Sequence, residues 1–186
     1  MKPAAALAVF VAAACAGTGA RAPARAAAGP PPPSPRVYRV LATAESDDQV
    51  ALIEFRPCPA PHCGARVVRT YEVGLLPADI EGPHGVAASP DGRTFYVTLA
   101  HGRPNGWLQK FDLETGRALG AAPLGMFPAT VDVGPGGALV YAINFNFEDP
   151  EGRPSSLSIV DGVTMNEVAR PATTACPAAT PETPRP

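Results

Sequence analysis

Two stretches of the chain align when one is displaced 45 residues along the other. Pro83, Ser89-Pro90-Asp91-Gly92 and Tyr96-Val97 fall on Pro128, Gly134-Pro135-Gly136-Gly137 and Tyr141-Ala142. Each copy couples a tight-turn sequence, in which Pro presets φ and Gly accepts a positive one, to a strand-forming run with an aromatic side chain. A repeat of about 40–45 residues with this content marks a β-propeller blade, a four-stranded antiparallel meander that must stack on its neighbours to cover its apolar faces.

The composition agrees. Gly (18) and Pro (24) punctuate short runs rich in Val, Tyr, Phe and Thr, and helical periodicity is scarce, so an all-β chain is expected. Hydrophobic residues make up 46% of the 186, enough for a core, although alanine at both ends inflates that share.

The complete unit spans 84–123: strand a at 84–89, the turn 89–92, strand b at 94–100, strand c at 107–112, a turn at 113–116 and strand d at 117–123. Upstream, 36–73 supplies strands b, c and d at 37–43, 50–55 and 67–73, with no strand a. Downstream, 129–170 supplies a, b and c at 129–133, 138–144 and 157–161, and a short d at 166–170. In this last copy the b–c loop 145–155 is longer than its counterpart 101–106, so Asp161 follows Asp112 by 49 residues instead of 45. Lengthening a surface loop costs only about 0.6 kcal/mol per doubling, so the repeat survives. The expectation is a partial propeller of about three blades over 36–170.

Met1-Lys2, the apolar run 4–14 and a small-residue stretch to Ala28 have the layout of a secretory signal peptide, with Ala22 and Ala26 as cleavage points, giving a leader at 1–26. The apolar run is too short to be a stable membrane span. Ala12-Ala13-Ala14-Cys15 resembles a lipoprotein box, although Ala12 stands where Leu is usual, so a lipid anchor at Cys15 is an alternative to simple export. The expected location is periplasmic or secreted. Loss of Lys2, Arg21 and Arg25 leaves 12 basic (15 − 3) against 17 acidic side chains, a net charge of −5, which excludes a basic field for gathering nucleic acid. Residues 27–35, with GPPPPSP, read as a stiff polyproline linker.

The sequence 82–102, GPHGVAASPDGRTFYVTLAHG, with 125–146, GMFPATVDVGPGGALVYAINFN, resembles the YVTN-type repeats of bacterial β-propellers. Tyr96-Val97-Thr98 holds the signature with Leu99 in place of Asn, while Tyr141 and Asn144 keep the Tyr and the Asn. The resemblance, extending over 37–170, implies a closed ring, usually seven-bladed, whose roles run from binding scaffold to lactone hydrolysis. It also implies that some relatives place copper-binding histidines on the rim. Three blades do not close, since propellers typically use 4–8. The segment 171–186 has five prolines, no aromatic residue and no Val, Ile or Leu, and reads as a disordered tail. The expectation is therefore a truncated form, with an exposed blade flank disposed to self-association.

A meander sorts its loops: a–b and c–d turns lie on one face of the disc, b–c loops and d–a crossings on the other. His84, Met126 and Phe127 (crossings) and His101, Asn105, Asn144, Phe145 and Asn146 (b–c loops) thus share one rim, while Cys58, His62 and Cys63 lie on the opposite side. The two groups are a strand length apart, about 17–20 Å, and cannot form one metal site. Cys58-x4-Cys63 reads as a local disulfide of an oxidising compartment, with free thiols or a metal pair as alternatives. It lacks the C-x-x-C-H order of c-type haem, and Cys176 remains unpaired in the tail.

His84 and His101 are the sharper pair, as ligand-binding residues or metal ligands, but two ligands do not fill a transition-metal site. The plainer reading gives His84 a loop hydrogen bond and leaves His101 solvated. Asn105, Asn144 and Asn146 complete the candidate ligand-binding set. The rim is acidic, with Glu45, Asp47, Asp48, Asp79, Glu81, Glu148, Asp149 and Glu151 against Arg103 and Arg153, which suits a cationic ligand or simply a soluble surface. Asp112 and Asp161 are expected to cap the c–d turns. Trp107 belongs between blades, with stacking on a ligand as the alternative.

No G-x-S-x-G, H-E-x-x-H, P-loop or Rossmann pattern occurs, no catalytic residue is assigned and no cofactor is expected. The reading that follows is an exported, noncatalytic YVTN-like propeller protein with a binding or scaffold role. The alternative is part of a propeller enzyme of the lactone-hydrolase or copper-redox kind.

Overall fold

The computed structural model describes residues 36–57, 63–102, 104–147 and 149–173. Within them the chain is all-β, in three antiparallel sheets. The first holds β1 (Tyr38–Ala44), β2 (Gln49–Arg56) and β3 (Gly64–Glu72). The second holds β4 (Pro83–Ala88), β5 (Thr94–Leu99), β6 (Trp107–Asp112) and β7 (Ala118–Pro123). The third holds β8 (Pro128–Val133), β9 (Leu139–Asn144), β10 (Ser156–Asp161) and β11 (Glu167–Ala169). Every sheet keeps chain order from one edge to the other, as a propeller meander requires. Among the described residues the first contains the expected b, c and d strands and no strand a.

Strand alternation builds the core. On β5, Phe95, Val97 and Leu99 point to the first sheet, where they join Val50, Leu52, Tyr71 and Val73. Tyr96 points the other way and, with Leu108, Ala122 and Leu124, packs on Val140, Ala142 and Val160 of the third. The middle sheet is thus apolar on both faces and sandwiched, because side chains on a strand alternate with a period of two. Trp107 is half-buried against the first of these clusters, between blades. Hydrogen bonds stitch the layers as well: the Tyr71 hydroxyl donates to the Leu113 carbonyl at 2.8 Å and the Tyr96 hydroxyl to that of Gly162 at 3.0 Å.

The c–d turns close as their sequences require. Asp112 accepts from the Thr115 amide and hydroxyl at 2.7 and 2.8 Å, and Asp161 from the Thr164 amide and hydroxyl at 2.7 and 3.1 Å. One boundary differs from the expected tail. Ala172 bridges Ser156, the Leu157 amide donates to the Pro171 carbonyl at 2.9 Å and the Thr173 amide to the Ser155 carbonyl at 2.8 Å. Pro171 lacks an amide, but only its carbonyl is needed here, so 171–173 extends the sheet edge.

Candidate functional site

The rim formed by b–c loops and d–a crossings begins at Glu45, which opens a short 3-10 turn (Glu45–Asp47) between β1 and β2. Asp48 ends that turn in the left-handed region at φ 48°. Its carboxylate accepts from the Gly82 amide at 2.8 Å and the Glu81 amide at 3.1 Å, binding the crossing between the first and second sheets to the turn. Glu81, buried, accepts from the Leu75 and Leu76 amides within the same crossing. The buried Gln109 side chain holds the crossing's far end, pairing with both the amide and the carbonyl of Gly74 at 2.8 and 3.0 Å.

This anchored crossing delivers two histidines to Glu45. His84 is the second residue of β4, and its carbonyl accepts from the Thr43 hydroxyl at 3.2 Å. His101 follows β5, and its amide donates to the Glu81 carbonyl at 2.9 Å. Both Nε2 atoms converge on one oxygen, Glu45 Oε1, at 3.1 Å from His84 and 2.6 Å from His101. The three donor atoms lie within 4.8 Å of one another. The side chains are 47% (Glu45), 30% (His84) and 42% (His101) exposed, so a solute can reach them. The hydrogen bond with His101 holds the Glu45 carboxyl below its usual range, against the opposing effect of burial, with the charge of the two imidazoles adding to the lowering.

Two backbone features shape this triad. Gly82 sits at φ 61°, and a Cβ there would lie 2.0 Å from His101 Cδ2, so only glycine lets the imidazole settle against the crossing. The residue 45 positions on is Phe127, which keeps the same left-handed turn at φ 52°. The surrounding bonds repeat too. Ala100 and His101 donate to the Gly82 and Glu81 carbonyls, and Phe145 and Asn146 donate to those of Phe127 and Met126, all at 2.9–3.0 Å. A bulky residue in that conformation is strained by roughly 1–3 kcal/mol. Its ring stands edge-on to both imidazoles, with centroids 5.1 Å from His84 and 5.5 Å from His101. Phe145 and Phe147, 46% and 65% exposed, continue from it as an aromatic shelf.

The other rim residues are arranged differently. Asn144 is fully buried: its Oδ1 accepts from the Gly125 amide at 3.0 Å and its Nδ2 donates to the Ser156 and Ser158 hydroxyls at 3.0 and 2.8 Å. That makes it an internal latch, since a buried amide is held where all its polar atoms are paired. Asn146 donates to the Pro154 carbonyl and lines, with Asn105, Met126 and Arg170, a separate cleft of about 220 Å³. Asp47, Asp48 and Asp79 line another, of about 440 Å³, under the first crossing. Asp149 pairs with Arg153 at 2.8 Å, and that contact holds its carboxyl below the usual range. Several rim carboxylates therefore brace loops, an outcome that counting charges does not reveal. On the opposite side Cys63 is disulfide-bonded. Cys58, His62, Arg103 and Glu148 lie outside the described residues, as do the segments expected to be leader, linker and tail beyond 173.

The sequence placed Glu45, His84, His101 and Phe127 on one rim. It did not single out Glu45 as the partner of both histidines or Phe127 as their support. The alignment of Phe127 with Gly82, a position that demands positive φ, was the signal available for the latter.

No protein-family model and no curated protein matches the chain. Solved structures do. Hydrazine synthase of Kuenenia stuttgartiensis aligns at 17% identity and a TM-score of 0.56 over 72% of this chain. A Bacteroides fragilis protein provisionally described as a 6-phosphogluconolactonase aligns at 14% identity and a TM-score of 0.51 over 69%. In each case the match spans 34% of the other chain, about one third of its length. These likenesses establish the propeller-like fold.

Proposed function

We propose that the chain is an exported, noncatalytic YVTN-like propeller protein that binds a ligand or protein partner across the rim carrying His84 and His101. The observation that carries this reading is the convergence of Glu45, His84 and His101 beside the half-buried Phe127 and the exposed rings of Phe145 and Phe147. Solvent-facing aromatic rings next to convergent polar groups suit recognition. Export is supported by the charged start, apolar run and small-residue exit at the N-terminus.

Two measurements test the parts separately. Expressed with its own N-terminus in a Gram-negative host, the chain should appear in the periplasmic fraction with its mass reduced to a start near residue 23 or 27. An unprocessed cytoplasmic product would contradict export. The carboxylate–imidazole contact is also what a general base needs, and it favours the second reading, a lactone-hydrolysing propeller enzyme. Gluconolactone hydrolysis that disappears in His101→Ala would replace the noncatalytic reading with that one.

A further inference from the structure

We propose that Glu45, His84 and His101 bind one zinc-class divalent transition-metal ion, through Glu45 Oε1 and the two Nε2 atoms, with a coordination position left open beside the phenylalanine shelf. The proposal deepens the rim-binding reading and rests on it for the location of the site.

The donor set is the first argument. Two imidazole nitrogens and one carboxylate oxygen are the ligands of many zinc sites that keep a position for water or substrate. Imidazole suits zinc, copper, nickel and iron, whereas calcium and magnesium take oxygen ligands. The spacing is the second. Zinc bonds of about 2.0–2.1 Å to nitrogen place tetrahedral ligands about 3.3 Å apart. Glu45 Oε1 stands 3.1 and 2.6 Å from its two partners. The two Nε2 atoms lie within 4.8 Å of each other, so admitting the ion takes a small outward shift of the half-exposed Glu45 side chain together with rotation of the two part-exposed imidazoles toward one another.

The third argument is that the arrangement is built. Glu45 comes from the first sheet's b–c loop, His84 and His101 from opposite ends of the crossing and b–c loop of the second, and Phe127 from the entry to the third. Asp48 ties the first of these segments to the second through the Glu81 and Gly82 amides. Gly82 leaves the space that the His101 ring fills, and Phe127 holds both rings from a left-handed backbone position that its side chain disfavours. Ligand side chains fixed by surrounding packing bind metal more tightly than mobile ones, because less freedom is lost on coordination. Glu45 also supplies negative charge for a cation, and Asp48 stands in the same loop.

The test uses the full-length chain and zinc chloride alone, titrated by calorimetry after dialysis against chelator. Expected are one zinc per chain and at least about a 100-fold loss of affinity in each of His84→Ala, His101→Ala and Glu45→Gln, since disturbing even the partners of metal ligands costs 10–100-fold. Magnesium and calcium chloride should give no comparable heat. Glu45→Gln changes only the charge of a half-exposed side chain, so it remains informative if a histidine variant misfolds. Asp79→Asn, on the same rim outside the triad, should bind as the parent does. Absence of stoichiometric zinc, equal affinity in Glu45→Gln, or an equal loss in Asp79→Asn would each overturn the proposal. Its failure leaves the rim-binding reading standing. That reading fails separately if Phe127 and Phe147 prove dispensable for capture of an identified ligand.

Discussion

At the scale of single residues, the site depends on backbone positions that take a left-handed turn before each innermost strand. Gly82 and Phe127 occupy that position in successive copies, at φ 61° and 52°. Replacing Gly82 with Ala adds a Cβ that meets the His101 ring and strains the turn. We expect a loss of about 1–3 kcal/mol in urea unfolding, with the His101 ring displaced. A change below about 0.5 kcal/mol would mean the crossing is looser than described. Asn144 offers a second residue-scale test. Asn144→Leu strands the Gly125 amide and two serine hydroxyls in the core, at about 1–3 kcal/mol for each group left unsatisfied. Denaturation showing that the variant is as stable as the parent would remove the latch role. Neither role could be read from composition. The sequence puts Asn144 at a rim, and its inward turn goes with the hydroxyls of Ser156, directly opposite it on β10, and of Ser158, two residues further along that strand.

Elements were legible where a turn or an alternation enforces them. Thr94–Leu99 and Trp107–Asp112 pair without irregularity over their whole length, and the turns that flank them carry Pro, Gly and Asp where backbone geometry asks for those residues. Short or irregular strands were harder. β11 covers only Glu167–Ala169 and pairs with a register shift between Ile159 and Val160, and the pairing at 171–173 is masked in the sequence by Pro171, which argues against a strand. The c–d turns make a pH prediction. Backbone and hydroxyl hydrogen bonds from Thr115 hold Asp112 below its ordinary value, and amide bonds from Thr164 and Val163 do the same for Asp161. A carboxyl with a depressed folded pKa contributes stability that is present above its unfolded value, about 3.9, and is lost as pH falls through the folded one. The parent should therefore lose thermal stability below about pH 4 more steeply than the double variant Asp112→Ala/Asp161→Ala, which should be less stable at neutral pH. Parallel melting curves across that range would contradict the assignment.

At the largest scale, three sheets stack through two apolar layers, and among the described residues nothing covers the outer face of the first. Tyr38, Val40, Phe55 and Val67 are exposed there, with Tyr38 opposite Phe55 and Val40 opposite Ile53 across the strands. The reverse face of the same sheet is buried against its neighbour, so a second copy could cover the free one in a similar way. Sedimentation velocity should show association that rises with concentration and weakens in Tyr38→Lys/Val67→Lys; a monomer at all concentrations would count against it. Repeat topology draws segments of neighbouring sheets, far apart in sequence, onto one rim. Aromatic NOE spectroscopy of the labelled protein reports on that juxtaposition. Cross-peaks from the Phe127 ring to the imidazole protons of both His84 and His101 are expected from centroid separations of 5.1 and 5.5 Å. A folded protein in which Phe127 contacts neither ring would contradict it.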